Sequence, residues 1–178
     1  MRGKAHLTCG IGTAIVTSGI LLYAEKIGIA EAGMFGLSCM VNSVIPDIDI
    51  PESMVGKRVK PIANAINKIF GHRTITHSGL WIILWLALMW QLQGTIWWTL
   101  CYGMLMGFLS HIVSDTFTIG GVPWLWPLSR KKIRLTPIKT GEKDYIFVVL
   151  TTIILSCATA FVFLSSNVPE PISLFFTG

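Results

Sequence analysis

"GTIWWTLCYGMLMGFLSHIV", residues 94–113, contains no Asp, Glu, Lys or Arg. A helix of about 20 residues spans about 30 Å, which is the thickness of the hydrocarbon core of a membrane. Four more apolar runs of similar length carry almost no charge, with Glu31 as the one charged residue: Leu7–Ala24, Ile27–Ile45, Thr74–Trp90 and Tyr145–Leu164. The sequence therefore predicts an all-α integral membrane bundle of about five transmembrane helices, built as a single domain over residues 1–178.

The composition excludes an ordinary soluble domain. Of the 178 residues, 52% are hydrophobic and 13% are charged, and the mean hydropathy is +0.65. A soluble domain carries about 25% charged residues. The first apolar run is longer than the core of a signal peptide, and the Glu25-Lys26 pair after it is a poor cleavage site. We therefore expect the first helix to be retained.

The positions of the basic residues follow the predicted membrane topology. The net charge is +5, and all but one of the 14 Lys and Arg residues precede the first run or lie in the loops 46–73 and 116–144. The exception, Lys26, lies beside Glu25 in a connection on the other side. The positive-inside rule makes the two basic loops and the N-terminus cytoplasmic, and the C-terminus then lies outside. Because topology explains the charge, we expect no direct nucleic-acid binding.

Histidine and aspartate side chains collect at the cytoplasmic ends of four predicted helices. All four histidines are among them, and no comparable group lies on the other face. Ionisable groups are costly in a membrane unless they face each other or a polar cavity, so they are candidates for function. The candidates, in chain order, are His6, Asp47, Asp49, His72, His77, His111 and Asp115.

Imidazoles and carboxylates together are typical ligands of zinc, manganese or iron. His111 and Asp115 are spaced i, i+4 and share a helix face. Each candidate alone has a structural alternative: His6 as an interfacial residue, Asp47 as a turn cap, or His77 in a first helical turn capped by Thr76. All seven together favour a site for a divalent transition metal, with zinc first, manganese as the alternative, and one or two ions.

Small residues lie one or two helical turns from these ligand positions along two helices. Gly103 and Gly107 lead to His111, and Gly10 and Ala14 follow His6 at the same spacing. Small residues at such spacing let membrane helices approach closely. We expect the ligand-bearing faces to point into the bundle.

Basic residues near the candidates allow two interpretations. The planar fork of Arg73 suits an anionic oxygen such as phosphate, but Arg73 is equally explained as one more positive-inside charge. Trp124 and Trp126, with the basic stretch 130–134, either anchor the loop at the interface or bind anionic headgroups.

The motifs together resemble those of a known family. They are His6, "VIPDIDIPES" at 44–53, "GHRTITHS" at 71–78 and "GFLSHIVSDTFTIGGVPWLWP" at 107–127. This pattern, over residues 6 to 145, is similar to the YdjM family of bacterial inner-membrane proteins, described as metal-dependent hydrolases; part of the family carries a LexA-binding label. It is distantly similar to zinc-dependent phospholipase C proteins. The resemblance implies a membrane-bound hydrolase with the seven candidates as its site.

One segment departs from the family pattern. Family members often carry a Glu shortly after a Gly ahead of the last helix, whereas this chain reads Gly141-Glu142-Lys143-Asp144. Neither Glu142 nor Asp144 matches cleanly, and neither is included in the predicted site.

The resulting hypothesis is a metal-dependent hydrolase at the cytoplasmic face of the bacterial inner membrane. All seven candidates are predicted ligands, with Asp49 alternatively a general base and Arg73 stabilising charge on a phosphoryl or acyl oxygen. A lipid or lipid-linked phosphoester is the expected substrate, because the site opens at headgroup depth.

Two other functions use the same residues. A metal transporter would need polar groups across the membrane, and the far side carries few. A metal-binding regulatory membrane protein would bind a soluble partner through its basic cytoplasmic loops. Loss of function on removing charge at 130–134, but not on changing His72 or His111 to alanine, would favour the regulatory protein.

Overall fold

The computed structural model describes residues 3–135 and 144–165, and these ranges are all-helical, without a strand. The predicted all-α class is therefore confirmed. The basic residues Arg2, Lys139 and Lys143, the acidic residue Glu142 and the tail containing Glu170 lie outside the described residues, as does the side chain of Asp144. The α-helices are α1 Gly3–Tyr23, α2 Ile29–Asn42, α3 Lys60–Phe70, α4 Leu80–Gln91, α5 Ile96–Thr116 and α6 Asp144–Ser165.

Within the described residues, three segments are long and apolar enough to cross a membrane: Gly3–Tyr23, Ile29–Asp49 and Ile96–Thr116. The other two predicted spans correspond to shorter apolar helices, Leu80–Gln91 and Ile146–Val162. The membrane fold agrees with the sequence, while the count of five and the side of each terminus stay predictions.

The third predicted span begins later than expected. Residues Ile75–His77 form a 3-10 turn instead of a helical start. The hydroxyl of Thr76 bonds to Asp49, and the Gly79 N–H donates to the Trp124 carbonyl at 2.9 Å. These bonds hold the segment out of the helix, so α4 begins only at Leu80.

Helix α5 is the centre of the bundle and contacts α1, α2, α4 and α6. Two of its glycines allow a close approach to α2. A Cβ at Gly103 would overlap the carbonyl of Phe35, and one at Gly107 would overlap the carbonyl of Cys39. In α1, Gly10 lies equally close to the Ser43 side chain. The predicted packing through small residues is confirmed.

Helix α3 was not predicted, because its region was interpreted as a loop. Its apolar side chains follow the spacing i, i+4, i+7, which is typical of an amphipathic helix. The Asn67 amide donates to the Asp49 carbonyl at 2.8 Å and so attaches α3 to the turn after α2. The apolar positions are Ile62, Ile66 and Ile69.

The start of α1, the end of α2, the start of α4 and the end of α5 meet at one end of the bundle. The chain after α5 folds back over this end, where Val122 and Ile133 form an isolated antiparallel bridge. This arrangement brings residues from distant parts of the sequence together.

Candidate metal centre

The structure brings together five of the seven predicted residues at this end of the bundle. They form two groups, His6 with His111 and Asp115, and Asp47 with His77 and His111. In each group one ligand atom per residue lies within 4.8 Å of the others, and all the side chains are buried. His111 belongs to both groups, so the two are parts of one cluster, here called the His/Asp cluster.

Hydrogen bonds orient the rings of His77 and His111. Nδ1 of His111 lies 2.8 Å from the carbonyl oxygen of Ser43, which can only accept a proton. Nδ1 of His77 lies 2.9 Å from the Thr76 hydroxyl, whose own proton is donated to Asp49 at 2.7 Å. Nδ1 is therefore the protonated nitrogen of both rings, by the logic of the hydrogen-bond network.

The ring of His6 is oriented in the same manner. Its Nδ1 lies 3.1 Å from the hydroxyl of Ser114, and that hydroxyl donates to the His111 carbonyl at 2.8 Å. The His6 ring stacks on the His111 ring with centroids 3.7 Å apart. Each of the three buried histidines thus keeps the lone pair of Nε2 for the cluster.

The Nε2 atoms and carboxylate oxygens converge closely. Nε2 of His77 lies 3.1 Å from Nε2 of His111. Asp47 Oδ1 lies 3.9 and 3.7 Å from these two nitrogens, and Asp115 Oδ2 lies 3.8 and 3.9 Å from them. Two nitrogen lone pairs that face each other at this distance repel unless a cation lies between them. The donor set therefore fits a divalent metal.

The protonation of His77 agrees with this arrangement. Burial lowers the pKa of His77 to about 3, although Asp49 and Asp115 oppose the effect. The ring is therefore neutral at neutral pH, which is the form that binds metals.

Asp49 and His72 lie beside the His/Asp cluster and in neither of its groups. Asp49 Oδ1 lies 3.0 Å from Nδ1 of His72, and its Oδ2 accepts the Arg73 N–H at 2.9 Å as well as the Thr76 hydroxyl. Both oxygens are thus engaged by neighbours that orient the cluster. The His72 side chain is 39% exposed. The structure thus places Asp49 and His72, both predicted as ligands, beside the two groups of the His/Asp cluster and in neither of them.

Arg73 connects Asp115 with Asp49. Its Nη2 lies 2.5 Å from Asp115 Oδ2, while its backbone N–H donates to Asp49. Its φ of 56° lies in the left-handed region, which non-glycine residues adopt rarely and mostly at functional sites. Gly120 leaves room for the guanidinium, since a Cβ there would overlap Nη1. Arg73 is therefore a buried part of the site.

Sequence reasoning missed the groups that orient the histidines. Thr76 was considered only as a helix cap, and Ser43 and Ser114 were not considered. Two of these residues lie near a candidate ligand in the sequence: Thr76 directly precedes His77, and Ser114 follows His111 by three positions. That proximity was the available signal. The Ser43 contact uses a backbone carbonyl from another helix, for which the sequence carries no signal.

Comparison with known proteins gives related membrane proteins. The family model described as "YdjM inner membrane protein" matches residues 1–176. "Inner membrane protein YdjM" of Escherichia coli (strain K12) is 40% identical over 148 residues, covering 80% of this chain and 73% of that protein, and the Shigella flexneri protein of the same name matches equally. "Uncharacterized protein YvsG" of Bacillus subtilis (strain 168) is 29% identical over 161 residues, covering 88% and 92%. No solved structure matches the chain.

Proposed function

The chain belongs to the YdjM family of inner membrane proteins, and from its His/Asp cluster we propose that it is a metal-dependent hydrolase. It is a multi-pass protein of the bacterial inner membrane. The proposed site lies at the cytoplasmic face and acts on a lipid or lipid-linked phosphoester. One observation carries the proposal: three buried histidines have Nδ1 held by an acceptor and Nε2 turned towards two carboxylates.

Zinc is the proposed metal, with manganese as the alternative. In a tetrahedral zinc site with bonds of about 2.0–2.1 Å, neighbouring ligand atoms are about 3.3 Å apart. The distances from His77 and His111 to each other and to Asp47 and Asp115 run from 3.1 to 3.9 Å. His6, whose Nε2 lies 3.4 Å from Asp115 Oδ1, extends the donor set towards a second ion. A metal here would supply Lewis-acid chemistry, activating a water and polarising the scissile bond.

The His72–Asp49 pair is the proposed proton-transfer group. Asp49 is buried and accepts the Nδ1 proton of His72 at 3.0 Å, which leaves Nε2 of a partly exposed ring for a substrate. A carboxylate that orients an imidazole is the usual arrangement of a general acid or base. We therefore assign Asp49 a positioning role and give proton transfer to His72.

Arg73 is proposed to hold Asp115 and to stabilise an anionic phosphoryl oxygen. Its Nη2 is paired with Asp115, and Arg73 also lines a cavity together with His72. Guanidinium groups bind phosphate oxygens strongly because their donors match the spacing of those oxygens.

The lipid substrate is inferred from depth. The His/Asp cluster lies at the ends of the membrane helices. Tryptophans are attached to the same region: Trp81 donates to the Ile75 carbonyl, Trp124 donates to the Thr116 hydroxyl, and Trp126 lines a cavity with His72. Tryptophan is enriched at the membrane–water interface, where lipid phosphates also lie.

Metal content and turnover, measured together, test the proposal. Protein purified without chelator should contain one or two equivalents of zinc or manganese by elemental analysis, and should hydrolyse an aryl phosphodiester or a phospholipid in mixed micelles. His111→Ala should lose both metal and turnover. His72→Ala should keep its metal but lose about 100-fold or more in turnover, since acid–base catalysis contributes about 10²–10⁴-fold. Wild-type protein without a transition metal, or His111→Ala with full metal and activity, would overturn the proposal.

A metal-binding regulatory membrane protein is the second candidate. The complete burial of His6, His77, His111 and Asp115 favours this function. Structural metal sites are closed to solvent, whereas catalytic metal sites keep one coordination position open. In that case the metal content would follow the same pattern, no phosphoester would be hydrolysed, and removing charge at 130–134 would abolish function.

A further inference from the structure

A cavity of about 350 Å³ lies next to the His/Asp cluster, on the side of the loop that follows α5. We call it the basic cavity, because four of its lining side chains are His72, Arg73, Arg130 and Lys132. Phe70 and Trp126 form an aromatic wall, with their rings edge to face at 6.2 Å.

Two of the four basic side chains of the basic cavity, Arg130 and Lys132, have no acidic partner among the described residues. No Asp or Glu of the described residues lines it, and in that part of the chain neither Arg130 nor Lys132 forms an ion pair. His72 is paired with Asp49, and the Arg73 guanidinium is paired with Asp115. Convergent cations around an open volume are typical of an anion site, and arginine with lysine suits phosphate oxygens.

A second cavity of about 400 Å³ lies on the membrane side of the same segment. We call it the apolar cavity, since its lining includes Ile66, Trp85, Met104 and Phe108. Met104 lies 12 residues before Thr116, the last residue of α5. At 1.5 Å per residue, the apolar cavity therefore reaches about 18 Å into the bundle.

Phe70 lines both cavities. From the loop towards the membrane interior, the lining side chains are therefore first the cations, then the aromatic wall, and then the side chains of the apolar cavity. A membrane phospholipid has the same order, with its phosphate at the interface and its chains in the core.

We propose that the two cavities form one site for an anionic phospholipid, with its phosphate in the basic cavity and one hydrocarbon chain in the apolar cavity. The inference rests on the proposed function and adds the residues that select the substrate. Arg130 and Lys132 bind the phosphate, and Ile66 contacts the chain. The bound phosphate lies beside His72 and Arg73, and Arg73 contacts Asp115 of the His/Asp cluster.

Lipid binding is tested apart from turnover, on the full chain in detergent with chelator present. Native mass spectrometry counts bound dioleoyl phosphatidic acid, with dioleoyl phosphatidylcholine as the neutral comparison. Wild type should bind phosphatidic acid preferentially, and the Arg130→Gln/Lys132→Gln double variant should bind it about tenfold more weakly, because two exposed charge contacts are lost.

The matched control is Lys131→Gln/Arg134→Gln, which removes the same charge from the same loop at side chains that do not line the basic cavity. It should bind like wild type. Equal weakening in both double variants would mean that loop charge alone attracts the lipid, and would overturn the proposal.

Ile66→Trp tests the chain site, because a larger side chain fills part of the apolar cavity. It should weaken phosphatidic acid binding while inorganic phosphate, measured as a competitor, binds as in wild type. If Ile66→Trp has no effect and inorganic phosphate competes as well as the lipid, the ligand is a free phosphate and the proposal is wrong.

The two proposals can fail separately. If lipid binding follows the predicted pattern but no hydrolysis is measured, the lipid site is supported and the proposed hydrolase activity is contradicted. Phosphoester hydrolysis that is indifferent to Arg130, Lys132 and Ile66 would do the opposite.

Discussion

Thr76 shows how much of the site depends on single neighbours of the ligands. Its hydroxyl donates to Asp49 and accepts from Nδ1 of His77, so it sets both the tautomer and the orientation of that ring. Outer contacts of this kind orient the ligands of a metal site and tune its affinity for the metal.

Thr76→Val is therefore expected to reduce metal affinity about 10–100-fold, the usual cost of losing an orienting partner. The volume of the side chain is nearly unchanged, but Asp49 loses a donor and His77 Nδ1 loses its acceptor. Competition with a fluorescent zinc chelator measures the affinity. Thr76→Ser keeps the hydroxyl and should bind like wild type; a valine variant with unchanged affinity would show that the ring is held by packing alone.

At the scale of secondary structure, α5 carries His111 and Asp115 and owes its position to close packing against α2. Gly107 lies one helical turn before His111, directly against the Cys39 backbone. Any side chain there must push the two helices apart.

Gly107→Ala is expected to lower the free energy of unfolding by about 1–3 kcal/mol, since overpacking a close helix contact forces the backbone to shift. Thermal unfolding in detergent measures the effect as a lower Tm. Gly36→Ala, in α2, is the matched control, because nothing lies within 4 Å of its added Cβ. That control should be neutral or slightly stabilising; equal losses in both variants would contradict the packing explanation.

Helix α3 and the turn at Ile75–His77 mark the limit of prediction at this scale. Helices α1, α2 and α5 could be predicted because a run of apolar residues long enough to cross a membrane has few alternatives. Helix α3 has 11 residues and mixes asparagine and lysine with isoleucine, so hydropathy alone reads it as loop. Helical spacing of its isoleucines was the signal that was overlooked.

At the scale of the whole molecule, the His/Asp cluster joins four separate segments: α1, the turn after α2, the turn before α4, and α5. A metal held by all four would stabilise the folded state by its binding free energy.

Metal removal is accordingly expected to lower the Tm of the wild-type protein. Ligand at about 1,000 times its Kd contributes about 4 kcal/mol of stability. Unfolding curves with and without dipicolinate measure the change, and added zinc should restore the Tm. His111→Ala should not respond to chelator, and an unresponsive wild type would argue against a structural link through metal.

The topology of the chain gives another prediction at this scale. Alkaline phosphatase, which folds only outside the cytoplasm, should be active when fused after Gln93 and inactive when fused after Lys131. The basic residues of the 116–144 loop are expected to keep that loop in the cytoplasm, whereas the connection after α4 is uncharged. The reverse activities would invert the bundle and place the site on the outer face.

The sequence alone determined the all-α membrane class and the end of the bundle at which histidines and aspartates gather. Hydropathy determines the membrane class, because few charged side chains are tolerated in the lipid interior. The distribution of Lys and Arg predicts the orientation of the helices, and so which of their ends carry the histidines and aspartates. The sequence also determined the candidate ligands, because nitrogen and oxygen donors at one depth have few other uses.

Only the tertiary structure decided which candidates meet. It brings Nε2 of His77 and His111 to 3.1 Å, moves Asp49 and His72 to an adjacent position, and pairs Arg73 with Asp115. The sequence predicts how deep in the membrane a side chain lies, but not its direction around the helix axis. Whether two side chains can bind the same metal depends on that direction, and on turns held by long-range hydrogen bonds such as that from His111 to the Ser43 carbonyl. Those bonds form between segments far apart in sequence, and no local pattern encodes them.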